Sequence, residues 1–370
     1  TIADGPITGD ESRFIWHAEN ILTLQEIANE MAITLRDAEK IARNLCEREI
    51  LHASPITYSM AALQRFYGKS ILPVAQPNTF TDIWLTAKDL YHDAPLIHWL
   101  EDDSQISYED ADYVIDCIRR RFIDLELSEG DRIAIASPHH PESLFICWAA
   151  WLSGITLVAI DKELPVKSII DLIQRTKSKL LVTDQHALAN QQQVAVVFLD
   201  NETSPPNDSI CFADWLDATV CPEAHQYSIN PENIATILFT SGSTGLPKGV
   251  LLSQPALAMS GKNMADTHGW KSESILSLGP FSMMSGLRNP AVASLSSGST
   301  VLLPGRSTLH HPWISWQQAQ NQNATVITAV PAWLQIVVSN PELTPCHSMK
   351  HILLTGAYLS PELRLKAIEK

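Results

Sequence analysis

The sequence predicts an α/β fold with a largely parallel sheet, preceded by a small helical module, and three observations carry that expectation. Beyond the first quarter of the chain, helix-period and strand-like segments alternate, the signature of strand–helix–strand units. Hydrophobic residues make up 45% and charged residues 18% of the 370 positions, enough apolar material for a sizeable core. A chain of this length exceeds one ordinary folding unit, and the proline-containing stretch ILPVAQPNTFTD at 71–82 supplies a connector. Two domains are therefore expected, 1–75 and 76–370.

In the first domain, LTLQEIANEMAITLRDAEKIARNLCEREIL (22–51) gives two helical patterns. Ile27, Ala28 and Met31 mark one; Ala38, Ile41, Ala42 and Leu45 mark the other, at three- and four-residue spacings. Thr23 with Glu26, and Thr34 with Asp37, read as capping boxes. Two short helices and a tight turn look winged-helix-like. Against DNA binding, Arg36, Lys40, Arg43 and Arg48 are offset by Asp37, Glu39, Glu47 and Glu49, whereas a recognition helix needs a cationic excess. A docking module for protein contacts is the better reading.

In the second domain, EDADYVIDCIRRRFIDL reads as helix, DRIAIAS as strand, ESLFICWAAWL as helix and ITLVAID as strand, and KSIIDLIQRTK with KLLVTD repeats the pair. The uncharged run 143–160 is about long enough to cross a bilayer. Gly154 divides it, however, into a Trp- and Ala-rich half and a β-branched half, which predicts a buried helix, a turn and a buried strand. No membrane span is expected.

Composition excludes further classes. With 41 acidic residues against 26 Lys and Arg, the formal net charge of −15 argues against nucleic acid and anionic membrane as partners. The six cysteines form no CxxC pair, and the polar N-terminus TIADGPITGDESR is no signal peptide, so reduced thiols in a cytoplasmic protein are expected. His139–His140 and His310–His311 lack a Cys or carboxylate at ligand spacing and read as loop residues; no metal site is assigned.

The stretch ATILFTSGSTGLPKGVLLSQ (235–254) carries the chemistry. It is not the nucleotide loop GxxxxGK[ST], which opens a helix: Pro247 stands before Lys248, Leu246 is pushed towards extended geometry, and VLLS reads as a strand. The expected form is strand, flexible loop, strand. Thr240, Ser241, Ser243 and Thr244 supply hydroxyls, Gly242 and Gly245 let the backbone approach a ligand, and Lys248 adds a positive charge. A plain surface hairpin has Ser and Gly too; the ordered set between apolar strands favours phosphate binding.

TSGSTGLPKG (240–249) closely resembles the signature loop of the adenylate-forming superfamily: acyl- and aryl-CoA synthetases, acyl-AMP ligases, nonribosomal peptide adenylation domains and luciferases. Weaker matches stand in the same order around it: DSQISYEDAD, LSEGDRIAI, WLSGITLVAID (where Ala159 breaks a usual Pro-Asp pair), GPFSMMSG and LLTGAYLSPEL, so that the resemblance runs from about Phe80 to Lys370. It implies layered, mainly parallel sheets flanked by helices, and a reaction in which ATP and a carboxylic acid give an acyl-adenylate and pyrophosphate, followed by transfer to a thiol of CoA or an acyl or peptidyl carrier protein. By the same resemblance Thr240, Ser241, Gly242, Ser243, Thr244, Gly245 and Lys248 bind the ATP phosphates. Phe281, Ser282, Met283 and Gly286, with Thr355, Gly356 and Ala357, form the substrate pocket and adenine side.

Amino-acid-activating relatives place an aspartate after the pocket aromatic, to pair with the substrate ammonium; here Ser282 follows Phe281. An unpaired buried ammonium is costly, so a fatty, aryl or other non-amino acid is favoured. Ser282 and Gln254 both stand where relatives often have histidine, which leaves the acid open. The chain ends at Lys370, before the family's magnesium-binding glutamate, ribose-binding aspartate and C-terminal lobe with its catalytic lysine. The expectation is the N-terminal part of an adenylation domain, using ATP and Mg2+, with no catalytic residue assigned within it. The competing expectations are a non-catalytic ligand-sensing or docking protein on a degenerate adenylation fold and an amino-acid-activating nonribosomal peptide synthetase domain.

Overall fold

Two parallel sheets dominate the computed structural model, which describes residues 27–29, 31–34, 36–38, 40–42, 77–137, 139–190, 194–199, 205–206, 209–216, 229–240, 247–305 and 311–369. The chain divides into two compact units, Thr1–Gln76 and Pro77–Lys370.

In the first unit, residues 27–29 and 36–38 with 40–42 are helical and a turn lies between them, with Ala32 in the left-handed region at φ 54°. Ile27, Ala28, Met31, Ala38 and Ala42 are buried, as their spacing requires. Thr34 starts the second segment: the Asp37 amide donates to Thr34 Oγ1 at 3.2 Å, and Thr34 Oγ1 donates to the Asp37 carboxylate at 2.6 Å. Thr23, Glu26, Leu45, Arg43 and Arg48 lie outside the described residues.

In the second unit, α1 (Phe80–Tyr91) leads to the antiparallel pair β1 (Pro95–Trp99) and β2 (Ser104–Ser107), then α2 (Tyr108–Asp124). Next come β3 (Arg132–Ala136), α3 (Pro141–Leu152), β4 (Thr156–Ala159), α4 (Val166–Thr176), β5 (Leu180–Thr183), α5 (His186–Ala189), β6 (Ala195–Phe198) and β7 (Ile210–Cys211). The hairpin β8 (Ile234–Thr240) and β9 (Lys248–Ser253) follows, then α6 (Gln254–His268) and β10 (Ser274–Ser277). Helix α7 (Met284–Arg288) passes through a π-helical turn at Asn289–Ala293 into α8 (Ser294–Ser297). The rest alternates: β11 (Thr300–Leu303), α9 (Pro312–Asn321), β12 (Val326–Ala329), α10 (Pro331–Ser339), β13 (His351–Leu354) and α11 (Pro361–Glu369).

One sheet has the order β13-β12-β10-β11-β1-β2, the other β7-β6-β5-β3-β4-β8-β9. Every neighbouring pair is parallel except β1/β2 and β8/β9. The largely parallel α/β architecture expected from the alternation is present, in the layered form the resemblance implies. The uncharged run resolves as foreseen into α3, a turn with Gly154 at φ 68°, and β4. All four residues of β4 are buried, as a central parallel strand demands. Among the described residues no helix is long and apolar enough to cross a membrane.

The largest core lies where the sheets meet. Trp148 and Trp151 on α3 are fully buried, and each places its indole N–H on a carbonyl: Trp148 on Ala291 at 2.8 Å, Trp151 on Ala235 at 3.1 Å. Trp148 thus ties the helix beside one sheet to the π-turn beside the other. The turn has a sequence cause: Pro290 lacks the N–H that would close the helix and its ring crowds the carbonyl four residues back, so the ladder bulges.

Candidate active site

β8 and β9 form an antiparallel hairpin whose last pair is Thr240 with Lys248, and the six residues 241–246 lie outside the described residues. The expected strand, loop, strand form therefore holds at both strand ends. Thr240 Oγ1 donates to the Lys248 carbonyl at 3.4 Å, and Arg175 at the end of α4 donates to the Pro247 carbonyl at 3.4 Å. Lys248 is exposed and has no ion pair among the described residues, which leaves its ammonium available to an anion. Gly249 lies against Ile237 and Phe239, where a Cβ would come within 3.2 Å of Ile237. Ser241, Gly242, Ser243, Thr244 and Gly245 fall in the part not described.

A second segment meets this end of the molecule from the other sheet. His139, four-per-cent exposed in the loop after β3, donates from Nε2 to the Gly279 carbonyl after β10, and its ring lies 4.5 Å from that of Phe281. A carbonyl only accepts, so this contact fixes the proton on Nε2. Thr240 ends β8, parallel to β4, and the 279–286 segment follows β10, parallel to β11 and β12, so both lie at the carboxyl ends of strands, where open α/β sheets bind ligands.

Phe281 is buried against His139, while Ser282 is half-buried and Met283 exposed. The neighbouring Met284 packs on the main core, so the methionine pair divides between surface and core. Gly286 is required sterically: a Cβ there would collide with the carbonyl oxygens of Gly279 and Pro280. Ser285 and Thr355 join the two predicted pocket segments through their hydroxyls at 2.9 Å. Gly356 follows at φ 85°, and Thr355, Gly356 and Ala357 stand at the carboxyl end of β13. The structure thus brings Phe281, Ser282, Gly286 and Thr355 to one end of one sheet.

Sequence reasoning missed three residues here. Gln254 was read as a substituted histidine position; it is fully buried and joins two helices, accepting from the Phe80 amide at 3.1 Å and donating to the Trp151 carbonyl at 3.2 Å. His139 was read with His140 as a loop pair and holds the two sheets' loops together. Ser285 lies inside the GPFSMMSG segment, and only the fold shows its partner. Among the described residues, the cluster at ligand spacing for a metal is His92, Asp93 and Glu109, all exposed and on another surface element.

Fold and hairpin together define the class. The AMP-binding enzyme family matches residues 85–370, and the chain belongs to that family. It is 28% identical over 248 residues to indoleacetate–CoA ligase of Aromatoleum aromaticum, covering 64% of this chain and 47% of the relative. It is 26% identical over 286 residues to L-proline–[L-prolyl-carrier protein] ligase of Streptomyces coelicolor, covering 70% and 51%. Among solved structures, the luciferase-like enzyme of the nonluminescent mealworm Zophobas morio superposes with a TM-score of 0.72 at 17% identity, over 81% of this chain and 71% of that one. The chain spans about half the length of these two curated relatives.

Proposed function

We propose that the protein activates a carboxylic acid with ATP. The acid's carboxylate attacks the α-phosphate, pyrophosphate leaves, and the acyl-adenylate passes its acyl group to the thiol of CoA or a carrier protein with release of AMP. The observation that carries the reading is the β8–β9 hairpin, whose last pair, Thr240 with Lys248, stands at the carboxyl end of β8 in a largely parallel sheet. Hydroxyls, loop amides and one ammonium suit phosphate oxygens, and catalysis of this step is largely positioning and charge neutralisation. Adenylate-forming enzymes use ATP and Mg2+; here Thr240 and Lys248 fit the phosphates, and the described residues around the hairpin include no carboxylate cluster to hold the metal. A CoA ligase and a carrier-protein ligase among the relatives support both kinds of acceptor. Ser282, in place of a carboxylate after Phe281, supports a non-amino acid.

ATP–pyrophosphate exchange dependent on added acid tests this. Lys248→Ala in the complete protein is expected to lower exchange by about 100-fold, the scale of one lost donor to a developing anion. An unchanged rate would remove the hairpin from the phosphate site.

A further inference from the structure

Behind the Ser285–Thr355 pair, polar groups gather between the sheet and the helical layer that covers it. Alternation along β10 and β12 puts Ser277 on the face of Ile275 and Thr328 on the face of Val326. Ile275 and Val326 pack with Ala265, Trp270 and Ala293, so both hydroxyl residues face α6 and the π-turn. They are also register partners on adjacent strands. From the helical side, Asn289 stands one turn before Ala293 and one turn after Ser285, on the stripe that meets the sheet.

Four of these groups are almost completely buried: Ser277 and Asn289 at 0%, Thr328 at 3% and Trp270 at 4% exposure. Ser277 Oγ, Thr328 Oγ1, Asn289 Nδ2 and Trp270 Nε1 nevertheless have no hydrogen-bond partner among the described residues. Each such group costs free energy when buried unpaired. Arg288 joins them. Its Nε donates to Asn289 Oδ1 at 3.0 Å, which leaves the buried Asn289 amide nitrogen to donate elsewhere, and its remaining guanidinium N–H groups meet no carboxylate among the described residues. Burial pulls the Arg288 pKa down, with no counter-charge opposing it. His268 completes the border, stacked on Trp270 at 6.2 Å and edge-on to His351 at 5.8 Å; burial, His351 and Arg288 hold its pKa low, so at neutral pH it is uncharged and Arg288 carries the local charge.

The set is rich in donors. Indole and guanidinium only donate, the Asn289 oxygen is already used, and the two hydroxyls can turn either way. The complementary group is an acceptor, and with Arg288 present it is an anionic one; a planar carboxylate suits the guanidinium fork. We infer that Arg288, Asn289, Ser277 and Thr328 receive a second carboxylate, at the end of the substrate remote from the carboxyl that is adenylated, and that the natural substrate is a dicarboxylic acid. This rests on the adenylation reading for its first carboxyl only; the cluster itself stands on its geometry.

Calorimetry on the 370-residue chain, with diacids from succinate to suberate against chain-matched monoacids from butyrate to octanoate, tests the inference. At least one diacid is expected to bind about tenfold or more tightly than its monoacid, the factor one charge-assisted hydrogen bond supplies. Arg288→Met and Asn289→Leu should bring that ratio near one. Arg288→Lys, which keeps charge without the fork, should retain part of it. Because the ratio is taken within each variant, a partly unfolded preparation does not alter it. Equal binding of diacid and monoacid, binding of neither, or a preference unmoved by Arg288→Met would each overturn the inference. Pyrophosphate exchange with the same acids separates the two readings: diacid preference without exchange in the complete protein sinks adenylation alone, and exchange without diacid preference sinks the second-carboxylate site alone.

Discussion

Gln254 uses both ends of its amide inside the protein, and its loss would be felt at two helices. Phe80 is the first residue of α1, where the backbone N–H has no intrahelical acceptor, and Gln254 Oε1 supplies one; its Nε2 satisfies the Trp151 carbonyl at the end of α3. Gln254→Leu keeps the volume and leaves the Phe80 N–H buried without its acceptor, while the Trp151 carbonyl still accepts from the Gly154 amide at 3.3 Å. A destabilisation of about 1–3 kcal/mol is expected, the cost of one orphaned buried group. Chemical denaturation of the wild type and variant measures it; a midpoint within error of wild type would show that the site relaxes to find other partners. Gly286 makes the same point sterically, since its missing Cβ is what lets α7 rest on the Gly279 and Pro280 carbonyls.

Between elements, a single ion pair ties strands that are not neighbours. Glu273 precedes β10, Lys350 precedes β13, and β12 runs between those strands. Lys350 Nζ lies 2.9 Å from both carboxylate oxygens of Glu273. Burial by itself raises the Glu273 pKa, but hydrogen bonds from Thr325 and Lys350 and the Lys350 charge override it and hold the carboxyl below its usual 4.5. A depressed carboxyl contributes stability that is full above the unfolded value and is lost as pH falls through the folded one. Lys350→Met strands the carboxylate, at about 1–3 kcal/mol at pH 7, less than for a fully buried pair because the lysine is half exposed. The deficit should shrink below pH 4.5, where the stranded group takes a proton, and thermal unfolding of both proteins at pH 7 and pH 4 checks it. A deficit that is constant with pH would assign the loss to packing.

At this same scale the sequence was most legible. Period and composition located α2, β3, α3, β4, α4 and β5, because each buries a whole face or a whole segment and so repeats its apolar residues at a fixed interval. The hairpin was legible because Pro247 and the β-branched flanks exclude a helix after the loop. The π-turn was not read, although Pro290 is the signal for it. Nor were Ser277, Thr328, Asn289 and Trp270 singled out: they are scattered over 59 positions, and what unites them is the crossing of one helix over two strands, which no local pattern encodes. His139 and Gln254 were missed for the same reason, since their partners Gly279 and Phe80 lie 140 and 174 residues away.

Across the whole molecule, the two compact units separate at Gln76 and Pro77, and every hydrophobic cluster of the second unit is built, among the described residues, from Phe80 onward. The second unit also carries the hairpin, the His139–Gly279 contact and the donor cluster. Among the described residues these clusters contain none from the first unit, so removing 1–76 should leave the second unit's unfolding transition within a few degrees of wild type and acid-dependent pyrophosphate exchange within about twofold. The first unit has a mixed-charge second helix, Arg36 and Lys40 against Asp37 and Glu39, which suits a protein surface better than a polyanion. We propose that it recruits the acyl acceptor. Deleting 1–76 from the complete protein should then slow acyl transfer to a carrier protein at least tenfold, while transfer to CoA, a small thiol that needs no docking, stays unchanged. Equal loss with both acceptors would place the first unit's role in adenylation itself, and no loss with either would free it from the reaction altogether.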